Sequence, residues 1–177
     1  NKKNGGTAKI KFTVQVVTTP VPKYFTYSIE NGQVTITGYT DRKAVKIEIP
    51  KRIEGYPVTK IEGNVFKFKY DLKEISIPST VEIDRTLFTG TPIRREALEK
   101  TGMFIVNDIL FAVDEAAEQI TIPKGVTRID GYAFDGCEQL KSVTIPSTVK
   151  EIGEFAFDEC KQLKSVTIPS SVKEIEH

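Results

Sequence analysis

The chain contains no tryptophan, one histidine, one methionine and two cysteines in 177 residues. Its only histidine, His177, is also its last residue. No histidine triad, histidine metal cluster or histidine general base can be built from it. Charge of one sign is missing too: 25 Lys plus Arg stand against 24 Asp plus Glu. That balance argues against a general electrostatic grip on nucleic acid or anionic lipid. No run approaches the ~18 apolar residues of a membrane span, which argues against membrane insertion. Asn1 is neither an initiator methionine nor the start of a signal peptide. The chain reads as a processed or excised fragment, so the lack of a targeting segment is uninformative. Neither composition nor the two cysteines fixes a compartment.

What the chain has is repetition. Gln139 to Ile152 recurs 23 residues later as Gln162 to Ile175, with Ser171 replacing Thr148 as the single difference. A fixed period of this length is the mark of a solenoid. An apolar-x-Ile-Pro motif sets the phase. It ends at Pro50, Pro78, Pro123, Pro146 and Pro169, at intervals of 28, 45, 23 and 23. Five extra residues between Pro50 and Val58 account for the first interval. The second is two periods less one residue, lost between Val81 and Phe88. The register therefore holds from Pro50 onward, with one period of different texture at 89–119.

Each regular unit reads as two short extended pieces and a turn. Val143-Thr144-Ile145 alternates as a half-buried strand does. Proline then withdraws a backbone donor and ends the ladder. A second piece covers Val149 to Ile152. A helical or 3₁₀ turn is expected at Glu154-Phe155-Ala156-Phe157, closed by Cys160 and Leu163. One unit cannot enclose these apolar residues, but stacked units can.

Three local signals stand outside the repeat. Asn31-Gly32 between alternating runs predicts a hairpin of Phe25–Ile29 with Gln33–Thr37, since both turn positions tolerate positive φ. This hairpin is read as a cap over the open end of the stack. Thr91, Pro92 and Gly102 bracket a predicted helix as cap, first position and stop, with Ile93, Ala97 and Leu98 inward. A second hairpin is expected around Asn107-Asp108. Residues 1–23 form an arm and linker whose strand at 9–17 has one apolar face. Three placements are open for that strand: a preceding domain, a neighbouring chain, or this domain's own edge. Left unpaired, it would favour self-association. The predicted organisation is 1–23 arm, 24–50 hairpin cap and first strand, 51–88 first repeats, 89–119 irregular unit, and 120–177 regular repeats.

The unit resembles the BspA-like, or Treponema-type, leucine-rich repeat, L-x-x-(I/V)-x-I-P-x-x-V-x-x-I-G-x-x-A-F-x-x-C. Leu140, Val143, Ile145, Pro146, Val149, Ile152, Gly153, Ala156, Phe157 and Cys160 match it. Ile53 to Ile61 looks like the family's first repeat, and Val106 to Leu110 like its irregular units. The resemblance spans about Tyr24 to Glu176. It implies a β-rich α/β fold: a right-handed leucine-rich repeat solenoid of ~23-residue units, with a hairpin cap and one helix-bearing unit. Lys69 and Thr91 stand at the Cys position, and Leu87 replaces Ala, which implies looser packing there. The resemblance also implies a secreted or surface-anchored bacterial protein, an adhesin or binding protein for a protein or glycan partner of host or microbial origin.

Chemistry-bearing groups are sparse. Cys137 and Cys160 fall one period apart, about one strand spacing (~5 Å) in a stack. Buried thiols acting as small apolar residues are the favoured reading, with a disulfide as the alternative. Asp114, Glu115 and Glu118, and likewise Asp158 and Glu159, read as solvated faces. Arg94-Arg95 beside Glu96 and Glu99 reads as a salt-bridged helix face. No enzyme, cofactor or metal is expected. The candidate binding surface is the outward row Ser76, Thr121, Ser142, Thr144, Ser165 and Thr167. Hydroxyls are also ordinary strand-surface residues. Tyr24, Tyr27, Tyr39, Tyr56 and Phe68 are aromatic candidates for cap packing or for interface anchors. A structural spacer presenting another domain is the alternative function.

Overall fold

The computed structural model describes residues 23–176. The strand expected at 9–17 lies outside them. Among the described residues, fourteen strands and one α-helix, α1 (Pro92–Thr101), build a β-rich leucine-rich repeat solenoid. The cap hairpin forms as expected from β1 (Phe25–Glu30) and β2 (Gln33–Tyr39), antiparallel. Asn31 and Gly32 hold φ of 51° and 75°, the left-handed pair that such a two-residue turn requires.

Two parallel ladders run along the stack. The pre-proline strands pair β3 (Lys46–Glu48) with β6 (Glu74–Ser76), and β10 (Gln119–Thr121) with β12 (Ser142–Thr144). Proline's role is visible at the end of each rung. Ile49 N–H still donates to Ser76 O, and Ile122 N–H to Thr144 O, one residue before Pro50 and Pro123. The next residue has no N–H to continue.

The second ladder begins in the cap. β2 pairs with β5 (Tyr56–Ile61), and β5 with β7 (Glu82–Ile83), so the hairpin supplies the first rung. It resumes from β9 (Ile109–Val113) through β11 (Arg128–Ile129) and β13 (Glu151–Ile152) to β14 (Glu174–Ile175). The five-residue insertion is a small hairpin of its own. β4 (Arg52–Ile53) pairs with β5 across Glu54-Gly55, whose φ values are 51° and 83°.

Both ladders break at the irregular unit, where α1 replaces the pre-proline strand. Pro92 is its first residue, and Gly102 ends it at φ 70° with its N–H on Leu98 O. Thr91 precedes the helix but does not cap it through its side chain. Its Oγ1 donates to Phe88 O at 2.7 Å instead. Ile93, Ala97 and Leu98 pack on the core as expected. The second hairpin also forms, from β8 (Met103–Val106) and β9, with Asn107 and Asp108 at φ 50° and 62°.

The interior divides at β9. Phe111 and Ala112 join the N-terminal core with Phe66 and Phe88, while Leu110 and Val113 join the C-terminal core with Phe134 and Leu140. This explains why β9 is buried at four consecutive positions from Leu110 to Val113. It is sandwiched between the two halves, so neither of its faces meets solvent.

The departures from the repeat pattern do not loosen it. Lys69 and Thr91 are buried, at 5% and 2% exposure, and Leu87 is fully buried. At each Cys position the backbone N–H donates to the carbonyl three residues back, at Lys69, Thr91, Cys137 and Cys160 alike. The turn geometry is therefore common, and each side chain supplies its own solution. Lys69 Nζ donates to Tyr39 O and Asp41 O, both at 2.8 Å. Burial of two polar side chains is sustained because each finds acceptors.

The exchange of Thr148 for Ser171 is likewise accounted for. Thr148 Oγ1 donates to Val126 O at 2.7 Å, and Ser171 Oγ to Val149 O at 2.9 Å. The hydroxyl is what the position uses, and the methyl is dispensable.

Candidate functional site

The six strand-face hydroxyls are all exposed. They do not make one continuous row. Thr121 and Thr144 are register neighbours on β10 and β12, and Ser142 faces Gln119. Ser76 lies opposite Glu48 on the separate β3–β6 pair, beyond the break that α1 makes. Ser165 and Thr167 sit in a segment that forms no strand pairing. Ile168 and Ile175, in the same unit, are 38% and 49% exposed, whereas their counterparts Ile145 and Ile152 are buried. No further described coil packs over them.

A second surface lies at the turns of the N-terminal units. In Phe66-Lys67-Phe68-Lys69-Tyr70 the first and fourth residues point inward and the other three are exposed. Phe66 is fully buried and Lys69 nearly so, while Phe68 and Tyr70 are 64% and 66% exposed. Their rings lie 6.0 Å apart at 54°. Lys67 Nζ sits 5.3 Å from the Phe68 ring centroid. Tyr39 packs beneath, against Phe25 at 4.8 Å and Phe66 at 6.1 Å. Burial, and then the Asp41 carboxylate, hold the Tyr39 phenol above its ordinary pKa. Burial holds the Lys69 ammonium below its own, with the Asp41 charge opposing the shift. The cavity in front of these rings measures about 540 Å³.

Phe68 carries unusual backbone geometry. Its φ is +66°. The equivalent turn position is Gly90 and Gly136 in two other units, at φ 72° and 74°, and Glu159 in a third. Bulky aromatic residues are uncommon in the left-handed region; Tyr132 and Phe155 also occupy it, at φ 59° and 52°, but at an earlier position of the turn. The sequence analysis singled out Phe68 as one aromatic among several but missed Tyr70 and Lys67. The available signal was Phe68 standing where sister units have glycine.

Tyr132 and Phe155 form a further aromatic pair, 5.4 Å apart, with the Arg85 guanidinium 4.2 Å from the Tyr132 centroid. The Arg94-Arg95 segment pairs Arg95 with Glu99 and Lys100 with Glu96 along the helix. It borders a shallow cavity of about 320 Å³.

Cys137 and Cys160 are free, buried thiols. Cys160 Sγ donates to Phe134 O at 3.2 Å. Burial pushes the Cys137 thiol up to about 12, with smaller contributions from Cys160, Glu115 and Asp114. An unfolded thiol ionises near 8.5. Above about pH 8.5 the unfolded chain thus releases a proton that the folded chain keeps, so stability falls as pH rises toward 12. Below that window the thiol contributes nothing to pH dependence. We expect the guanidinium midpoint to drop more steeply across this alkaline range in the native chain than in Cys137→Ala. Parallel slopes would show that the thiol remains accessible to water.

Among the described residues, no group of three or more His, Cys, Asp or Glu side chains is placed to hold a metal ion. No described helix is long and apolar enough to cross a membrane.

Coils that return every ~23 residues, joined by parallel rungs and filled by equivalent Leu, Ile and Phe positions, define a leucine-rich repeat scaffold. The family model for the BspA type leucine rich repeat region matches residues 39–110 and 105–177, with six copies, and the chain belongs to that family. No curated protein matches it. Among solved structures it is similar to the T. pallidum leucine rich repeat protein, at 25% identity and TM-score 0.41, over 87% of this chain and 62% of that one. It is also similar to a leucine rich cell surface protein of Faecalibacterium prausnitzii A2-165, at 25% identity and TM-score 0.49, over 88% and 50%. A leucine-rich repeat protein of Bacteroides ovatus shows 29% identity and TM-score 0.39, over 88% and 37%. The chain thus spans less than two thirds of each of these three proteins.

Proposed function

We propose that this chain is a non-enzymatic binding module of an extracellular or cell-surface bacterial protein, taking protein or glycan partners on its solenoid face. The observation that carries this reading is the exposed side-chain set held on a laddered backbone. Thr121, Ser142 and Thr144 stand on paired strands, and Phe68 and Tyr70 on a hydrogen-bonded turn. Such a surface is pre-formed, which lowers the ordering cost of binding. Family membership adds support, because these repeats serve as scaffolds for interaction. Extracellular placement and adhesion come from the family resemblance, and Ser76, Ser165 and Thr167 remain part of the proposed face.

A spacer role has its own support. Lys141 pairs with Glu118 at 2.7 Å, Lys161 pairs with Glu138, and Gln162 Nε2 donates to Gln139 Oε1 at 2.9 Å. Each contact joins residues 23 apart and ties one coil to the next along the axis. Individually such exposed contacts contribute little, because solvent screens the charges and competes for the hydrogen bonds.

The test is a screen of the purified chain against matrix proteins and a glycan array, with Thr121→Arg/Thr144→Arg as a face-blocking variant. Micromolar binding to at least one partner is expected from the native chain. No binding to any of them would favour the spacer.

A further inference from the structure

We propose that Phe68 and Tyr70, with Arg42 and Lys67, form a subsite for a carboxylate-bearing sugar. This rests on the binding-module reading and names its ligand class and location.

The backbone supplies the first argument. Phe68 occupies a left-handed turn position at φ +66°, where Gly90, Gly136 and Glu159 serve the same turn elsewhere. Glycine adopts that conformation without strain, and a phenylalanine does not. Strain of this kind persists where the surroundings enforce it, and it concentrates at ligand sites. Backbone hydrogen bonds enforce it here. Lys67 N–H donates to Asn64 O at 2.9 Å and Lys69 N–H to Phe66 O at 3.1 Å, on either side of Phe68. Lys69 is pulled inward by the Tyr39 and Asp41 carbonyls, which turns both of its neighbours outward. The ring gains no burial in return, being 64% exposed. Folding therefore does not explain its presence.

Charge supplies the second argument. Arg42 and Lys67 line the cavity together with Tyr39, Val65, Phe68 and Tyr70. Neither cation forms an ion pair among the described residues. Of the neighbouring acids, Asp41 turns its carboxylate to the Lys43 backbone N–H, and Asp71 follows Tyr70 on the exposed turn. The cavity lining itself holds cations and no carboxylate. A ligand that presents a carboxylate fits this excess of positive charge.

Size supplies the third. A cavity of about 540 Å³ falls in the range of small-ligand sites. A folded partner would need roughly 800 Å² on each side. Two tilted, flat rings beside cations match a sugar, whose C–H face packs on an aromatic ring while its carboxylate meets Arg42 and Lys67.

The experiment titrates the full chain by NMR and calorimetry with 3′-sialyllactose, tetragalacturonate, neutral lactose and a tetraglutamate peptide. The acidic sugars should shift Phe68 and Tyr70 signals and bind at least roughly tenfold more tightly than lactose. Their affinity should weaken with added salt. Phe68→Gly should keep or raise the thermal midpoint, because glycine suits the turn, while weakening acidic-sugar binding at least about tenfold. Arg42→Gln/Lys67→Gln should remove the preference over lactose. A fall in the midpoint of Phe68→Gly would show the ring to be structural and would overturn the proposal. Tighter binding of tetraglutamate than of the sugars would assign the site to acidic peptides and overturn it as well. So would unbound sugars together with a change in hydrogen-exchange protection of residues 9–17 in Phe68→Gly, since the chain itself would then be the occupant. If acidic sugars fail while a matrix protein still binds Phe68→Gly normally, this proposal falls and the binding-module reading stands. If nothing binds, both fall.

Discussion

Replacing Phe134 with alanine should cost about 3–5 kcal/mol of unfolding free energy. Phe134 is fully buried and stacks on Phe157 of the next unit, with ring centroids 4.7 Å apart at 20°. Cys137, Leu140 and Ile152 belong to the same core. The deleted ring leaves a void between two coils whose backbones are already joined. Phe134 N–H donates to Ala156 O at 2.8 Å, and Tyr132 N–H to Glu154 O at 3.1 Å. Those rungs hold the coils at ladder spacing, so the void cannot close by collapse. In a solenoid the loss acts on nearest-neighbour interfaces, and the damage should spread to the adjoining unit. Against a total of about 5–15 kcal/mol for a domain, a loss of this size leaves a partly unfolded C-terminal half. Urea unfolding followed by far-ultraviolet dichroism measures it. Phe155→Ala, in the next turn, should cost much less, since that ring is half exposed. A loss under about 1 kcal/mol for Phe134→Ala would mean that the coils can close over the gap.

The second large effect comes from adding one methyl group. A Cβ at Gly153 would lie 2.4 Å from the Gly131 backbone nitrogen and 2.9 Å from the Asp130 carbonyl carbon. Neither atom can swing aside as a flexible side chain would. Gly153 N–H donates to Ile129 O at 2.9 Å, directly after the β11–β13 rung, so the clash must push that rung apart. Gly153→Ala should therefore destabilise by about 3 kcal/mol, at the upper end of overpacking costs. Gly131→Ala is the graded control. Its Cβ would approach the Glu154 carbonyl oxygen at 3.0 Å, a contact that small shifts relieve. Alanine is ordinarily the more stable residue in regular structure, so a neutral Gly153→Ala would show the two coils to be farther apart than described. Midpoints in urea, with hydrogen exchange at Ile129 and Ile152, separate the outcomes.

Particular residues show how far the sequence could be read. The period, its phase, both hairpins and the bounds of the helix were legible. Asn31-Gly32, Asn107-Asp108 and the Thr91-Pro92 to Gly102 bracket express φ preferences that a residue carries wherever it stands. The pre-proline strands were legible because proline lacks a donor in any context. The role of Lys69 was not legible. From the motif alone it was a misfit at a cysteine position, implying loose packing. In the fold its stem is buried and its ammonium meets two carbonyls 30 and 28 residues upstream. The six candidate hydroxyls are exposed, yet their division by α1 could not be seen without the ladders. Thr148 and Ser171 stood out in the sequence only as the one difference between the two copies, and each proved to hold a carbonyl 22 residues back.

The sequence by itself thus determined the family, the solenoid and the places where its rhythm fails. Those properties follow from local conformational preference and from apolar residues recurring at a fixed period. The tertiary structure alone decided which surfaces are open and what holds the exceptions in place. Stacking brings residues more than 20 positions apart within hydrogen-bonding distance, and only those contacts turn Lys69 inward and leave Phe68 and Tyr70 facing solvent.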